Sequence, residues 1–196
     1  RSLIDRFTMD ATWDYADDKN TDPTTGQKEW VLSQRRTFGG LKYDYFLTKK
    51  LYLLANASAL NDFQADLKLR LTAGGGLGYQ WVEREDLKFS TEAGLNYFFE
   101  DYRTPGVDST DNMALRLAYN FLWVITKGVT FTQGFQYFPG LDRSSNYYLQ
   151  LDSKVQLALT EQMFAQFQWV LDYDNTPAPG HERKDDRYLA SVGWKF

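Results

Sequence analysis

The stretch Asp186-Arg187-Tyr188-Leu189-Ala190-Ser191-Val192-Gly193-Trp194-Lys195-Phe196 reads as a β-strand with two unlike faces. Side chains on a strand turn over at every residue, so Tyr188, Ala190, Val192, Trp194 and Phe196 share one apolar face. Arg187, Ser191, Gly193 and Lys195 fall on the other, with Leu189 as the exception among them. An apolar strand with a free edge in water invites pairing with another chain. That edge is accommodated if the strand closes a barrel against the first strand of the chain.

Upstream, the same two-faced pattern recurs. Expected strands cover Asp5–Tyr15, Trp30–Leu47, Leu51–Leu60, Asp66–Val82, Leu87–Glu100, Met113–Ile125, Val129–Phe138, Tyr147–Thr160 and Met163–Tyr173, which with the last makes ten. Alternation is clearest where Leu149, Leu151, Val155, Leu157 and Leu159 oppose Gln150, Asp152, Lys154 and Gln156. Leu51–Leu60 is apolar on both sides at its start and shows no clear facing. Gly74, Gly75 and Gly76, in mid-strand, point to close packing or strong coiling of the sheet. Longer polar connections alternate with tight turns such as 48–50, 83–86, 126–128 and 160–162. This is the rhythm of a meander whose two ends face different compartments. The expectation is one all-β domain over 1–196, a transmembrane antiparallel up-and-down β-barrel.

Composition narrows the alternatives. With 13 Tyr, 14 Phe and 6 Trp, aromatics reach 17%, which favours strands and interfaces. Cysteine is absent, excluding disulfides and thiolate metal sites. A formal net charge of -4 supplies no basic field for nucleic acid. No 18-residue apolar run exists, so no transmembrane helix is expected. The chain begins at Arg1 and is read as processed or amino-terminally incomplete.

Alternation alone does not say which face points out, and a soluble lipocalin-like barrel is the rival. Three features favour the membrane. Nearly every strand has an apolar face, too much for a small interior. Aromatics gather near strand ends (Trp13, Tyr15, Tyr79, Trp81, Tyr97, Phe99, Trp123, Tyr173, Trp194 and Phe196), as in two interfacial girdles. The opposite face mixes charges of both signs, which suits a wet or salt-bridged bore.

An aromatic last residue with apolar residues two, four, six and eight places before it resembles the carboxy-terminal signal of bacterial outer-membrane barrels, carried here by Tyr188, Val192, Trp194 and Phe196. Most of the chain also resembles the salt-induced outer-membrane protein family. The likeness rests on Lys42 through Leu53, on Thr72-Ala73-Gly74-Gly75-Gly76-Leu77-Gly78-Tyr79-Gln80, on Glu92-Ala93-Gly94 with Glu100-Asp101-Tyr102, and on Asp172-Tyr173-Asp174-Asn175 with Asp185 to Tyr188. The resemblance implies an integral barrel of the bacterial outer membrane, of unknown function, with periplasmic termini. Its implied partners are outer-membrane lipid, lipopolysaccharide and the barrel-assembly machinery. Members usually carry further strand-like sequence ahead of the first strand found here, so closure takes ten strands or twelve.

Catalytic signals are weak. The single histidine, His181, shares the polar end of the chain with Ser144, Ser145, Asp185 and Asp186, without the spacing of a nucleophile motif. Glu182 with Asp185 and Asp186, or Asp17 with Asp18 and Asp22, lacks specific metal-ligand spacing, and solvated loops explain both sets. No enzyme activity and no cofactor are expected. The informative residues face inward: Asp10, Asp14, Lys42, Asp44, Lys68, Arg70, Lys88, Glu92, Arg116, Asp152, Lys154, Asp172, Arg187 and Lys195. Buried charges must pair, so Arg70, Glu92, Arg116, Asp152, Lys154 and Asp172 are expected to form a central network, Arg70 with Glu92 included. The function that follows is a barrel with a narrow, charge-filled lumen serving the envelope structurally or under stress. A small passive channel is the alternative, and a lipid-modifying enzyme a distant one.

Overall fold

The computed structural model describes residues 4–21, 28–143, 145–177 and 181–194. Ten strands follow one another: β1 (Asp5–Thr21), β2 (Lys28–Phe46), β3 (Leu51–Asp62), β4 (Leu67–Glu83), β5 (Leu87–Tyr102), β6 (Thr110–Thr126), β7 (Val129–Pro139), β8 (Tyr147–Ala158), β9 (Met163–Asp174) and β10 (Lys184–Trp194). Each pairs antiparallel with the next in a single sheet of order β1 to β10. The described residues include no helix. Lys195 and Phe196 lie outside the described residues, as do Asp22 and Ser144.

The tight turns have local chemical causes. Thr48 Oγ1 accepts from the amides of Lys50 and Leu51, Thr126 Oγ1 from Gly128, and Thr160 Oγ1 from Gln162 and Met163. A threonine hydroxyl that bonds the backbone two or three residues ahead closes a turn where the strand would otherwise run on. In the fourth turn Arg84 Nε donates to Asp86 Oδ1 at 2.9 Å, and that bond holds the Asp86 carboxyl below its ordinary range.

A lone sheet would leave both faces exposed, yet one face here is buried because the sheet curls onto itself. Trp13, Leu53, Leu71, Leu77, Trp81, Leu95, Tyr97, Leu117 and Trp123 stand exposed on the convex side. Tyr52, Leu54, Glu92, Asn96, Phe98, Ala114 and Arg116 are buried on the concave side. Side chains cross the enclosed space, as when Arg36 on β2 meets Asp172 on β9 at 3.6 Å. The glycine track of β4 permits the tight curl. A Cβ on Gly76 would strike the backbone of Ala93 and Gly94, and one on Gly78 would sit within the Tyr52 ring.

Three expectations are corrected. The first connection is shorter than 16–29, because β1 and β2 stay paired through Asp17↔Leu32, Asp18↔Val31 and Lys19↔Trp30 beyond a bulge at Ala16/Asp17. Lys68 is not inward: a bulge between Leu67 and Leu69 turns Leu67 into the buried face and sends Lys68 out to Asp101, 2.9 Å away. Among the described residues no backbone ladder joins β10 to β1; the edges meet through side chains, with Arg187 Nη1 3.9 Å from Asp14 Oδ2.

Candidate functional site

Antiparallel register sorts the inward residues by depth. One row runs Tyr52↔Gly78↔Glu92↔Ala118↔Gln136 across β3 to β7. Gly78 offers no side chain, so the Tyr52 ring lies across it and its hydroxyl donates to Glu92 Oε1 at 2.7 Å. Arg116 Nη1 donates to Glu92 Oε2 at 2.8 Å, and its Nε reaches Gln136 at 3.2 Å. Lys42 completes the ring around Glu92 and also meets Asp44 at 3.1 Å; Asp44 in turn takes Arg6 at 2.6 Å. Glu92 is only 3% exposed, and this full set of donors is what makes a carboxylate tolerable there.

A second network sits at the end of the bore that carries the longer connections. Arg36 contacts Asp62 at 3.1 Å and Asp172 at 3.6 Å. Arg70 contacts Glu100 at 2.5 Å and, across the lumen, Asp174 at 3.1 Å. Its guanidinium lies 5.1 Å from the centre of the Tyr148 ring. Arg187 bonds Asp172 and reaches Asp185 at 3.3 Å. Tyr148 and Gln150 also donate to Asp172, and Tyr102 to Glu100. These ties join β2, β4, β8, β9 and β10 into a crossbar over the mouth. Three guanidinium groups there face the six carboxylates of Asp14, Asp62, Glu100, Asp172, Asp174 and Asp185.

Between the networks lies an apolar layer, with Phe98 and Phe138 edge to face at 5.1 Å, Ala114 beneath them and Tyr148 against them. Free space is distributed unevenly. The mouth cavity beside Arg36, Arg70 and Tyr148 holds only about 70 Å³. A cavity of about 800 Å³, itself lined by Arg36, Arg70, Tyr148 and Arg187, extends from the crossbar past Asn56, Asn96 and Arg116, and one of about 510 Å³ continues toward the tight turns at Gln80, Lys88 and Asn120.

Of the six residues expected as a central network, the structure brings Glu92 and Arg116 together. It places Arg70 and Asp172 in the crossbar, where Arg70 meets Glu100 and Asp174 instead of Glu92. Asp152 and Lys154 pair with each other at 3.0 Å, and Gln168 donates to Asp152. Arg36, Tyr52, Asp62, Glu100 and Tyr148 were not anticipated. The alternation Arg36, Phe38, Gly40, Lys42, Asp44 was the available signal for the first. Tyr188, Val192 and Trp194 stand exposed on the convex face. His181 does not approach a hydroxyl nucleophile among the described residues: its Nδ1 lies 2.7 Å from the Gln64 carbonyl, tying the last connection to the β3–β4 turn. Asp186 bonds Lys184 and Trp169. No group of three or more metal-ligating side chains occurs among the described residues. The convex face is not uniformly apolar either. Tyr119 donates to Gln133 and Gln133 to Ser153, a polar chain that satisfies itself across β6, β7 and β8.

Residues 3–196 match the family model described as "Protein of unknown function, DUF481". Among solved structures the chain is similar to the NanC porin, with 12% identity, a TM-score of 0.57, and coverage of 100% of this chain and 96% of that one. At that identity the likeness speaks for the fold, an up-and-down β-barrel. No curated protein matches.

Proposed function

The chain belongs to the DUF481 family, and from the barrel fold we propose that it is an integral protein of the bacterial outer membrane whose bore is a narrow passage for small solutes, constricted at the mouth by the Arg36–Arg70–Arg187 crossbar. The carrying observation is the crossbar itself: Arg36, Arg70 and Arg187 reach Asp172 and Asp174 of β9 from β2, β4 and β10, and the same three guanidinium groups line the cavity of about 800 Å³. The role in envelope stress implied by the family resemblance belongs to the same proposal, as do periplasmic termini, lipid and lipopolysaccharide around the convex face, and insertion by the barrel-assembly machinery through Tyr188, Val192, Trp194 and Phe196. The porin-like fold supports a channel over an enzyme. Surplus carboxylate at the mouth gives a modest preference for cations.

Planar bilayers test the passage. Wild-type protein should give small openings, and Arg70→Ala, which removes the tie from β4 to β9, should enlarge them severalfold. Large porin-like openings in the wild type, or silence in both proteins, would exclude a constricted channel. Silence in both would leave a second reading, a purely structural barrel shut by its ion pairs.

The bilayer placement is tested separately. Leu117 is exposed at mid-strand on the convex face, and Leu117→Arg should cost about 2–4 kcal/mol in lipid-vesicle unfolding. Asn120 lines the lumen, and Asn120→Arg should cost far less. Equal losses would mean that the faces are reversed.

A further inference from the structure

The large cavity contains an arrangement that neither ion network uses. Asn56 on β3 lies opposite Gly74, and Gly74 lies opposite Asn96 on β5. Two inward amides therefore flank a position without a side chain, their strands roughly 10 Å apart at two strand spacings. The Asn96 amide leans over Gly74, since a Cβ there would collide with it. Asn96 is 1% exposed, yet neither its Oδ1 nor its Nδ2 finds a hydrogen-bond partner among the described residues; Asn56 Oδ1 has none either. Leaving a buried amide unbonded is costly, and Leu at the same place would have avoided the cost.

We propose that this amide pair is a binding site for a small neutral solute bearing several hydroxyl groups. The proposal rests on the reading of the lumen as a solute passage and names what the passage holds. An amide offers both donor and acceptor, which matches hydroxyl groups that do the same. The charged groups nearby are already committed: Glu92 to Lys42, Arg116 and Tyr52, and Asp152 to Lys154 and Gln168. Of the charged side chains lining the cavity, only Asp10 has no ion pair among the described residues, and it stands on β1, across β2 from the strand of Asn56. Ser58 and Thr72 add hydroxyls to the same cavity, and Phe98 supplies an apolar wall for a C–H face. The volume of about 800 Å³ falls in the usual range of small-molecule sites.

Saturation-transfer NMR on the folded barrel, in a detergent without a sugar headgroup, tests the site with glucose, glucuronate and glucosamine as probes. Glucose should receive saturation, and Asn96→Leu should weaken its binding by about fivefold, the effect of losing about one hydrogen bond. Asn56→Leu serves as the second variant if the first does not fold. Glucose transfer that is absent, or unchanged in the folded variant, overturns the proposal. So does equal, Asn96-dependent transfer to either charged probe. The readout needs no conductance: a silent barrel that binds glucose keeps the site and loses the channel, whereas a conducting barrel that binds none keeps the channel and loses the site.

Discussion

Glu92→Ala should destabilise the folded barrel by about 3–5 kcal/mol, as expected when one partner of a buried ionic cluster is removed and the others are stranded. Glu92 is the common acceptor for Lys42, Arg116 and Tyr52. Its loss leaves Arg116, 6% exposed, with Gln136 as its remaining bond, and leaves the fully buried Tyr52 hydroxyl with Ser90 as its remaining side-chain partner. Lys42 still has Asp44, so the damage centres on β3, β5 and β6. Glu92→Gln keeps an oxygen for Tyr52 or Arg116 and should lose much less. Denaturant unfolding in lipid vesicles measures both. A Glu92→Ala barrel as stable as wild type would mean that the cluster is already hydrated and contributes nothing to the fold.

Gly78→Leu should do comparable harm for a steric reason. The Tyr52 ring occupies the place where any side chain at Gly78 would begin. Tyr52 is fully buried between that strand and its bond to Glu92, so it has nowhere to retreat. Overpacking of this kind costs about 1–3 kcal/mol, and displacing Tyr52 from Glu92 adds the loss of a buried hydrogen bond. In a Tyr52→Ala background the same Gly78→Leu change should cost little, since the space is then vacant. A double-mutant cycle reads the difference as a coupling between the two positions. Additive losses would show that Gly78 is required by the backbone of the curled sheet and not by Tyr52.

The strands were legible because period-2 patterning is local: every expected strand is present, and Leu71, Leu77 and Trp81 of β4, Leu95 and Tyr97 of β5, and Leu117 and Trp123 of β6 stand exposed at that period. What misled lies between strands. Arg70 and Glu92 sit on adjacent strands and looked like partners, yet antiparallel pairing reverses depth, so Arg70 faces Glu100 while Glu92 faces Gly78. Asp17 and Asp18 fall in an expected loop between strands but continue a ladder past a bulge, and Lys68 changes face at another. Tyr52 was hidden because β3 begins apolar on both sides. Charges that seemed mixed along the chain are sorted by depth, with the surplus carboxylates gathered at the mouth. The unbonded amide of Asn96 has no sequence signal at all, because only the packed neighbours reveal that its bonds are unmade.

In the proposed passage the bore is open toward the tight turns and shut at the mouth. The chain has no cysteine, so a single introduced thiol reports access directly. Ser58→Cys places that thiol in the large cavity, beneath the crossbar. In vesicles carrying the barrel in one orientation, a membrane-impermeant maleimide applied from the turn side should label it readily. From the mouth side it should label only when Arg70→Ala is added. Equal labelling from both sides in the otherwise unaltered barrel would contradict a closed mouth and the constricted passage with it.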